Sequence, residues 1–293
     1  MIHAADGVNG ALRLKFCWAL AIAWLVASSA IAAWPSLAAA TPGLPVPGLL
    51  FMLFTLLHGS LSYGWKGIGL YFLIGILVGF VMEVASIATG FPFGYYTHNV
   101  PGTKLLGVPI PTILAYAVIG APAWSVARLI VRDNPCVSRG ADQWTTPIIA
   151  TFIMTGVDLA YDPIGATVLG QWIYRHPSGQ FGVPLSNFLG WLLTGWVIFQ
   201  LFAFTERHFR PSRAVAGGGY WLSACVVWLG NMVQYPFLFL NAPEGTARVG
   251  NRMFVIADVY EAGLIVALLT IVFSALLGIL RLISHPPRSW PTS

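Results

Sequence analysis

Five acidic side chains fall inside stretches that are otherwise apolar: Glu83, Asp158, Asp162, Asp258 and Glu261. A charged carboxylate in hydrocarbon costs roughly 3 kcal/mol or more, so such groups face a bundle interior or a wet cavity and are candidates for function. Asp158 and Asp162 are four residues apart and Asp258 and Glu261 three apart, so on helices each pair shares a face. A carboxyl group withdrawn from water favours its neutral form, more so beside a second acid. Such a group can hand a proton to an apolar substrate at neutral pH. The candidate catalytic residues are therefore Asp158, Asp162 and Glu83, with Asp258 and Glu261 as further lining. The plain alternative is an acid near a helix end paired with Arg175, Arg248 or Arg252, and for Asp258 and Glu261 the two readings stand level.

The elements that must hold these acids are membrane helices. Of 293 residues 57% are hydrophobic and 9% charged, against about a quarter charged in soluble domains. Eight apolar spans are expected, at roughly 15–34, 46–63, 67–89, 105–130, 145–170, 185–205, 219–240 and 254–281. They form one all-α membrane domain over residues 1–293, with residues 1–64 its less specific part and 65–281 its core. Eleven basic residues, Arg210 and Arg288 among them, then fall on the side of the N-terminus. Four fall opposite: Lys104, Arg175, Arg248 and Arg252. That bias puts both termini in the cytoplasm and the protein in the cell membrane. It also puts all five acids in the outer half. Arg13, Lys15, an apolar run and Ala38-Ala39-Ala40 also fit a signal peptide, whose loss would leave seven spans. Pro163, directly after Asp162, predicts a kink that frees the Leu159 carbonyl.

An offset of 75 residues aligns two stretches without a gap. Glu83 falls on Asp158, Gly90 on Gly165, Gly107-Val108-Pro109 on Gly182-Val183-Pro184, Leu114 on Leu189 and Gly120 on Gly195. This predicts a parallel repeat of spans 3–4 and 5–6, with Glu83 and Asp158 at equal depth facing one cavity.

The loops at that level are rich in turn formers and aromatics: Gly90 to Tyr96, and Phe181 to Trp191. Tyr95, Tyr96 and Trp191 are either an interfacial aromatic belt or the rim of a site whose ring faces stabilise a cation. Asn187 is either a substrate contact or a bond between helices. The net charge of +5 is scattered, which argues against nucleic acid. Cys17, Cys136 and Cys225 have no paired spacing, and His58, His98 and His176 no metal-ligand spacing. The sequence holds no phosphate loop, dinucleotide fingerprint or nucleophile elbow.

The stretches Gly90 to Tyr96, Lys104 to Pro109, Asp158 with Asp162-Pro163, and Phe181 to Trp191 resemble the carotenoid biosynthesis membrane proteins over roughly residues 65–280. That family includes CruF-type and bisanhydrobacterioruberin hydratases. The resemblance implies a cofactor-free addition of water to the terminal double bond of an acyclic carotenoid, with no bound metal. It implies Asp158 or Asp162 as the acid, with Glu83 or the other aspartate orienting the water. The partners implied are a carotenoid, water, membrane lipid and other enzymes of the pathway. Two other readings are a non-catalytic carrier of carotenoid or polyprenyl lipid, and a magnesium-dependent prenyltransferase using Asp158 and Asp162.

Overall fold

The computed structural model describes residues 2–34, 36–37, 46–209 and 212–285. Ala38 to Ala40, Arg210 and Arg288, which entered the reading of topology, lie outside the described residues. The helices are α1 (Ile2–Ala33), α2 (Val46–Thr89), α3 (Ile110–Val131), α4 (Asp142–Pro163), α5 (Leu185–Glu206), α6 (Gly218–Gly230), α7 (Gln234–Leu240), α8 (Ile256–Ala267) and α9 (Phe273–Ser284). A π turn over Ile164–Val168 continues α4, and another over Leu268–Val272 joins α8 to α9. Seven helical runs among the described residues are long and apolar enough to cross a membrane, so the chain is an all-α membrane protein.

The longest run, α2, is bent back on itself. Gly64 has φ 64° and ψ 175°, outside helical geometry, and a positive φ is cheap only without a Cβ. A Cβ on Gly59 would sit 2.3 Å from the Ile68 side chain across the break. Phe51 and Glu83 line one cavity, although an unbroken helix would hold them about 48 Å apart. The arms 46–63 and 65–89 thus take the place of the second and third expected spans.

The second arm of α2 packs on α3 and α5, and α4 packs on the same two helices. The four form a ring in which α2 and α4 stand opposite, as do α3 and α5. Small residues permit the approach: a Cβ on Gly75 would meet Ala117 at 3.0 Å, and one on Gly79 the Tyr116 ring at 2.6 Å. α1 lies against α2 and α6, while α8 lies against α4.

Short strands cap one end of the ring. β1 (Tyr96–His98) pairs antiparallel with β4 (Trp172–Tyr174), placing Tyr96 opposite Tyr174 and His98 opposite Trp172. β2 (Lys104–Leu105) and β3 (Val108–Pro109) form a hairpin, as do β5 (Thr246–Val249) and β6 (Arg252–Val255). The stretches related by 75 residues share their backbone here. Leu106 and Phe181 have φ 48° and 49°, and Gly107 and Gly182 have φ 86° and 97°. Leu105 pairs with Val108 as Gln180 does with Val183. Pro109 and Pro184 then begin α3 and α5 as extended N-cap residues, a position where a missing N–H costs nothing. The other ends differ: Gly90 is left-handed, whereas Gly165 lies in the π turn. Pro163, where a kink was expected, is the last residue of α4, and the chain widens there into that π turn.

The far end of the ring is closed by an ion network. Arg132 donates to Glu206 through both terminal nitrogens, at 3.0 and 2.7 Å, and Arg128 Nε lies 3.4 Å from the same carboxylate. Tyr63 donates to Glu206 at 3.0 Å and Trp124 to Tyr63 at 2.8 Å. Arg128 and Arg132 are two of the eleven basic residues counted on the side of the N-terminus. They are buried at the ends of α3, because Glu206 from α5 and the faces of Trp124 and Trp221 receive them.

Candidate active site

Under the strand cap the ring encloses a cavity of about 530 Å³. Its walls are mostly apolar, from Trp24, Phe51, Phe93, Ile119, Met154 and Val157 among others. Glu83, Asp158, Asp162 and Asn187 also line it, and they are only 4, 7, 5 and 3% exposed. Glu83 stands on α2 and the two aspartates on α4, the helices that face each other across the ring.

Glu83 is held by three donors. Tyr116 hydroxyl donates to its Oε1 at 2.6 Å, Tyr96 hydroxyl donates to its Oε2, and His98 Nε2 lies 3.0 Å from Oε2. They come from two elements, α3 and β1, each for a local reason. Gly79 is one turn before Glu83 on the same face, and its missing Cβ lets the Tyr116 ring lie against α2. Tyr96 and His98 are two residues apart on β1, so both side chains point to the same side of the strand.

Asp158 and Asp162 form the opposing centre. Both lie on one face of α4, and one nitrogen serves both. Asn187 Nδ2 donates to Asp158 Oδ2 at 3.0 Å and to Asp162 Oδ2 at 2.7 Å. Tyr174 hydroxyl adds a donor to Asp162 at 2.8 Å. The strand pair thus lowers Tyr96 onto one carboxylate centre and Tyr174 onto the other, with ring centroids 5.7 Å apart. From behind, Thr270 in the second π turn donates to the carbonyl of Gly156 at 3.2 Å. A Cβ on Gly156 would sit 2.7 Å from Thr270 Cβ, so the last span seats the α4 turn that carries Asp158.

Aromatic faces cross the other diagonal. Tyr116 on α3 and Trp191 on α5 stack at 4.8 Å and 24°, with Phe93 at 6.5 Å from each. Such rings present negative faces to a positive centre. The arrangement suits acid–base chemistry on an apolar substrate: two carboxyl centres on facing walls, aromatic faces between them and little bulk water.

Of the sequence candidates, Glu83, Asp158, Asp162, Tyr96, Asn187 and Trp191 meet at this cavity. Tyr95 does not; just before β1 it is exposed, with Arg175 5.7 Å above its ring. Asp258 and Glu261 are exposed near the start of α8, where the buried face belongs to Val259, Tyr260 and Gly263. The reading of the sequence missed Tyr116 and Tyr174 and set His98 aside as interfacial. One signal was available, since Tyr116 falls on Trp191 at the 75-residue offset. Among the described residues no group of three or more His, Cys, Asp or Glu is placed to hold a metal ion.

No solved structure matches the chain. A bisanhydrobacterioruberin hydratase from Haloarcula japonica is 33% identical over 159 residues, which cover 54% of this chain and 52% of that protein. The chain thus spans about half the length of the curated relative it matches. The family described as "Carotenoid biosynthesis protein" matches residues 43–280, which takes in both arms of α2 and leaves out only α1 and the C-terminal end. The chain belongs to the carotenoid biosynthesis protein family.

Proposed function

We propose that the chain is a cofactor-independent carotenoid hydratase that adds water to the terminal double bond of an acyclic carotenoid end group. The observation that carries this reading is the pair of buried carboxyl centres facing each other across one apolar cavity. The similarity to a hydratase supports it.

The end group lies between α2 and α4. The Asp158–Asp162 pair, bridged by Asn187, holds one proton between two carboxylates too close to carry two charges. That proton goes to the less substituted alkene carbon, whose π electrons form the new C–H bond and leave a tertiary cation. Tyr116 and Trp191 face the cation. Water attacks it, forming the C–O bond, and Glu83 takes the surplus proton. Glu83 suits this role because Tyr116, Tyr96 and His98 hold both its oxygens in place beside the attacking water. A proton passing from Glu83 back to the aspartates through water restores the starting state, so the sum is alkene plus water giving a tertiary alcohol.

The 75-residue offset extends the proposal to a duplicated two-helix unit. Its two copies put Glu83 opposite Asp158 and Tyr116 opposite Trp191. The surplus of basic residues on the side of the N-terminus supports a further part of the proposal, that both termini are cytoplasmic and the cavity lies in the outer half of the cell membrane.

The test is expression in cells that make an acyclic carotenoid, followed by pigment mass analysis. Asp158→Asn and Asp162→Asn should each reduce alcohol formation by at least about a hundredfold, the usual worth of a general acid. Both proteins should still reach the membrane. Full activity in both variants would remove the aspartates from the mechanism.

A further inference from the structure

The reaction consumes a water molecule inside a cavity whose carboxyl groups already have protein donors. Glu83 receives three, Asp162 two and Asp158 one. Further hydrogen-bonding capacity lies elsewhere in the same cavity, at Asn231 and Gln234.

The run from Gly218 to Leu240 breaks between α6 and α7. Across the break the backbone closes three-residue bonds: Asn231 N to Trp228 O at 3.2 Å, Met232 N to Leu229 O at 3.0 Å and Val233 N to Gly230 O at 3.1 Å. Asn231 Nδ2 reaches back to the carbonyls of Val227 and Trp228, at 3.4 and 3.1 Å. This occupies the amide nitrogen and leaves Oδ1 without a donor. Gln234, three residues on, lines the cavity beside Asn231, and its side-chain amide makes no hydrogen bond to any described residue. Trp24 and Phe51, stacked at 4.8 Å, form the apolar wall next to them. Broken helices at membrane depth are tolerated where they are buried in protein or line a wet cavity. An unbonded amide facing hydrocarbon would cost several kcal/mol.

We propose that Asn231 and Gln234 form a water-holding subsite that supplies the nucleophile. A water in a protein needs about two to four polar partners. Asn231 Oδ1 and the Gln234 Oε1 and Nε2 provide two acceptors and one donor, whereas an acyclic hydrocarbon end group uses neither. At about 30 Å³ per water, the cavity takes a water beside the end group. The subsite stands at the break between α6 and α7, whereas the aspartates stand on α4 and Asn187 on α5, so the proton and the oxygen reach the double bond from separate holders. This inference rests on the hydratase reading above.

The chemistry supplies a test that separates the two claims. In deuterium oxide the acid pair transfers a deuteron to the alkene carbon. If water then fails to add, the cation loses a proton from that same carbon and returns a deuterated alkene. Gln234→Leu should lower alcohol formation by about tenfold, the worth of one hydrogen bond to the nucleophile, while deuterium accumulates in the recovered carotenoid. Gln234→Glu, which keeps two acceptors and the length, should restore alcohol formation in part. Wild-type alcohol formation in the leucine variant would overturn the subsite. So would joint loss of alcohol and deuterium exchange, or loss of pigment that copurifies with the protein, since these mark a structural or substrate-binding role. Failure of the hydratase reading looks different: the wild-type protein would form no alcohol and incorporate no deuterium.

Discussion

Replacing Asn187 with leucine keeps the number and branching of the side-chain heavy atoms and removes the one nitrogen that serves both aspartates. Its Nδ2 lies 3.0 Å from Asp158 and 2.7 Å from Asp162. Hydrogen bonds to acidic groups are worth about 1.5–3 kcal/mol each. The two contacts share a single donor group and cannot both be counted in full. Taking one bond's worth gives a loss of about 10- to 150-fold in turnover. Stability should suffer less, because Tyr174 still donates to Asp162 and the cavity can admit water to Asp158. The assay is alcohol formed per unit of membrane-inserted protein, with copurifying substrate as a check on binding. Substrate should be retained while turnover falls. Turnover within twofold of wild type would show that the aspartates need no bridge, and the shared-proton arrangement would be refuted.

Three other outcomes follow from the same geometry. Tyr174→Phe removes one donor from Asp162 and should cost about three- to tenfold in turnover, at the lower end of a single hydrogen bond; an unchanged rate would leave the strand cap without a role at that carboxyl. Gly79→Ala places a Cβ 2.6 Å from the Tyr116 ring and should lower turnover by displacing the donor on Glu83, with Tyr116→Phe giving a comparable loss. Arg132→Met breaks the bidentate pair with Glu206 at the far end of the bundle. It should destabilise the protein in detergent by about 3 kcal/mol or more, read as a lowered Tm, without changing turnover per folded molecule.

The sequence exposes most clearly what the bilayer dictates. Apolar runs of span length, and acids placed within them, stand out because hydrocarbon tolerates neither loops nor charge without cause. Glu83, Asp158 and Asp162 were legible on that ground alone, and Asn187 and Trp191 through the loop they follow. Tyr116, Tyr174 and His98 were not, since a tyrosine in a span or at its edge matches the aromatic belt in composition and differs only in where its hydroxyl points. Tyr95 and Tyr96 show the same limit: adjacent and alike in sequence, the first is exposed just before β1 and the second is buried at its start. The network of Arg128, Arg132 and Glu206 was not legible, because their meeting depends on how α3 and α5 pack. The fold-back at Gly64 was marked only by a short polar interruption, yet it brings Phe51 to the same cavity as Glu83.

The most direct measurement uses the purified protein with an acyclic carotenoid in water enriched in heavy oxygen. If the cavity adds water to the terminal double bond, the pigment gains the mass of one labelled water and the new oxygen sits on the tertiary end carbon. That product should vanish in the Asp158→Asn, Asp162→Asn double variant. A pigment that stays bound and chemically unchanged, with wild-type protein folded in the membrane, would show that the cavity holds carotenoid without hydrating it.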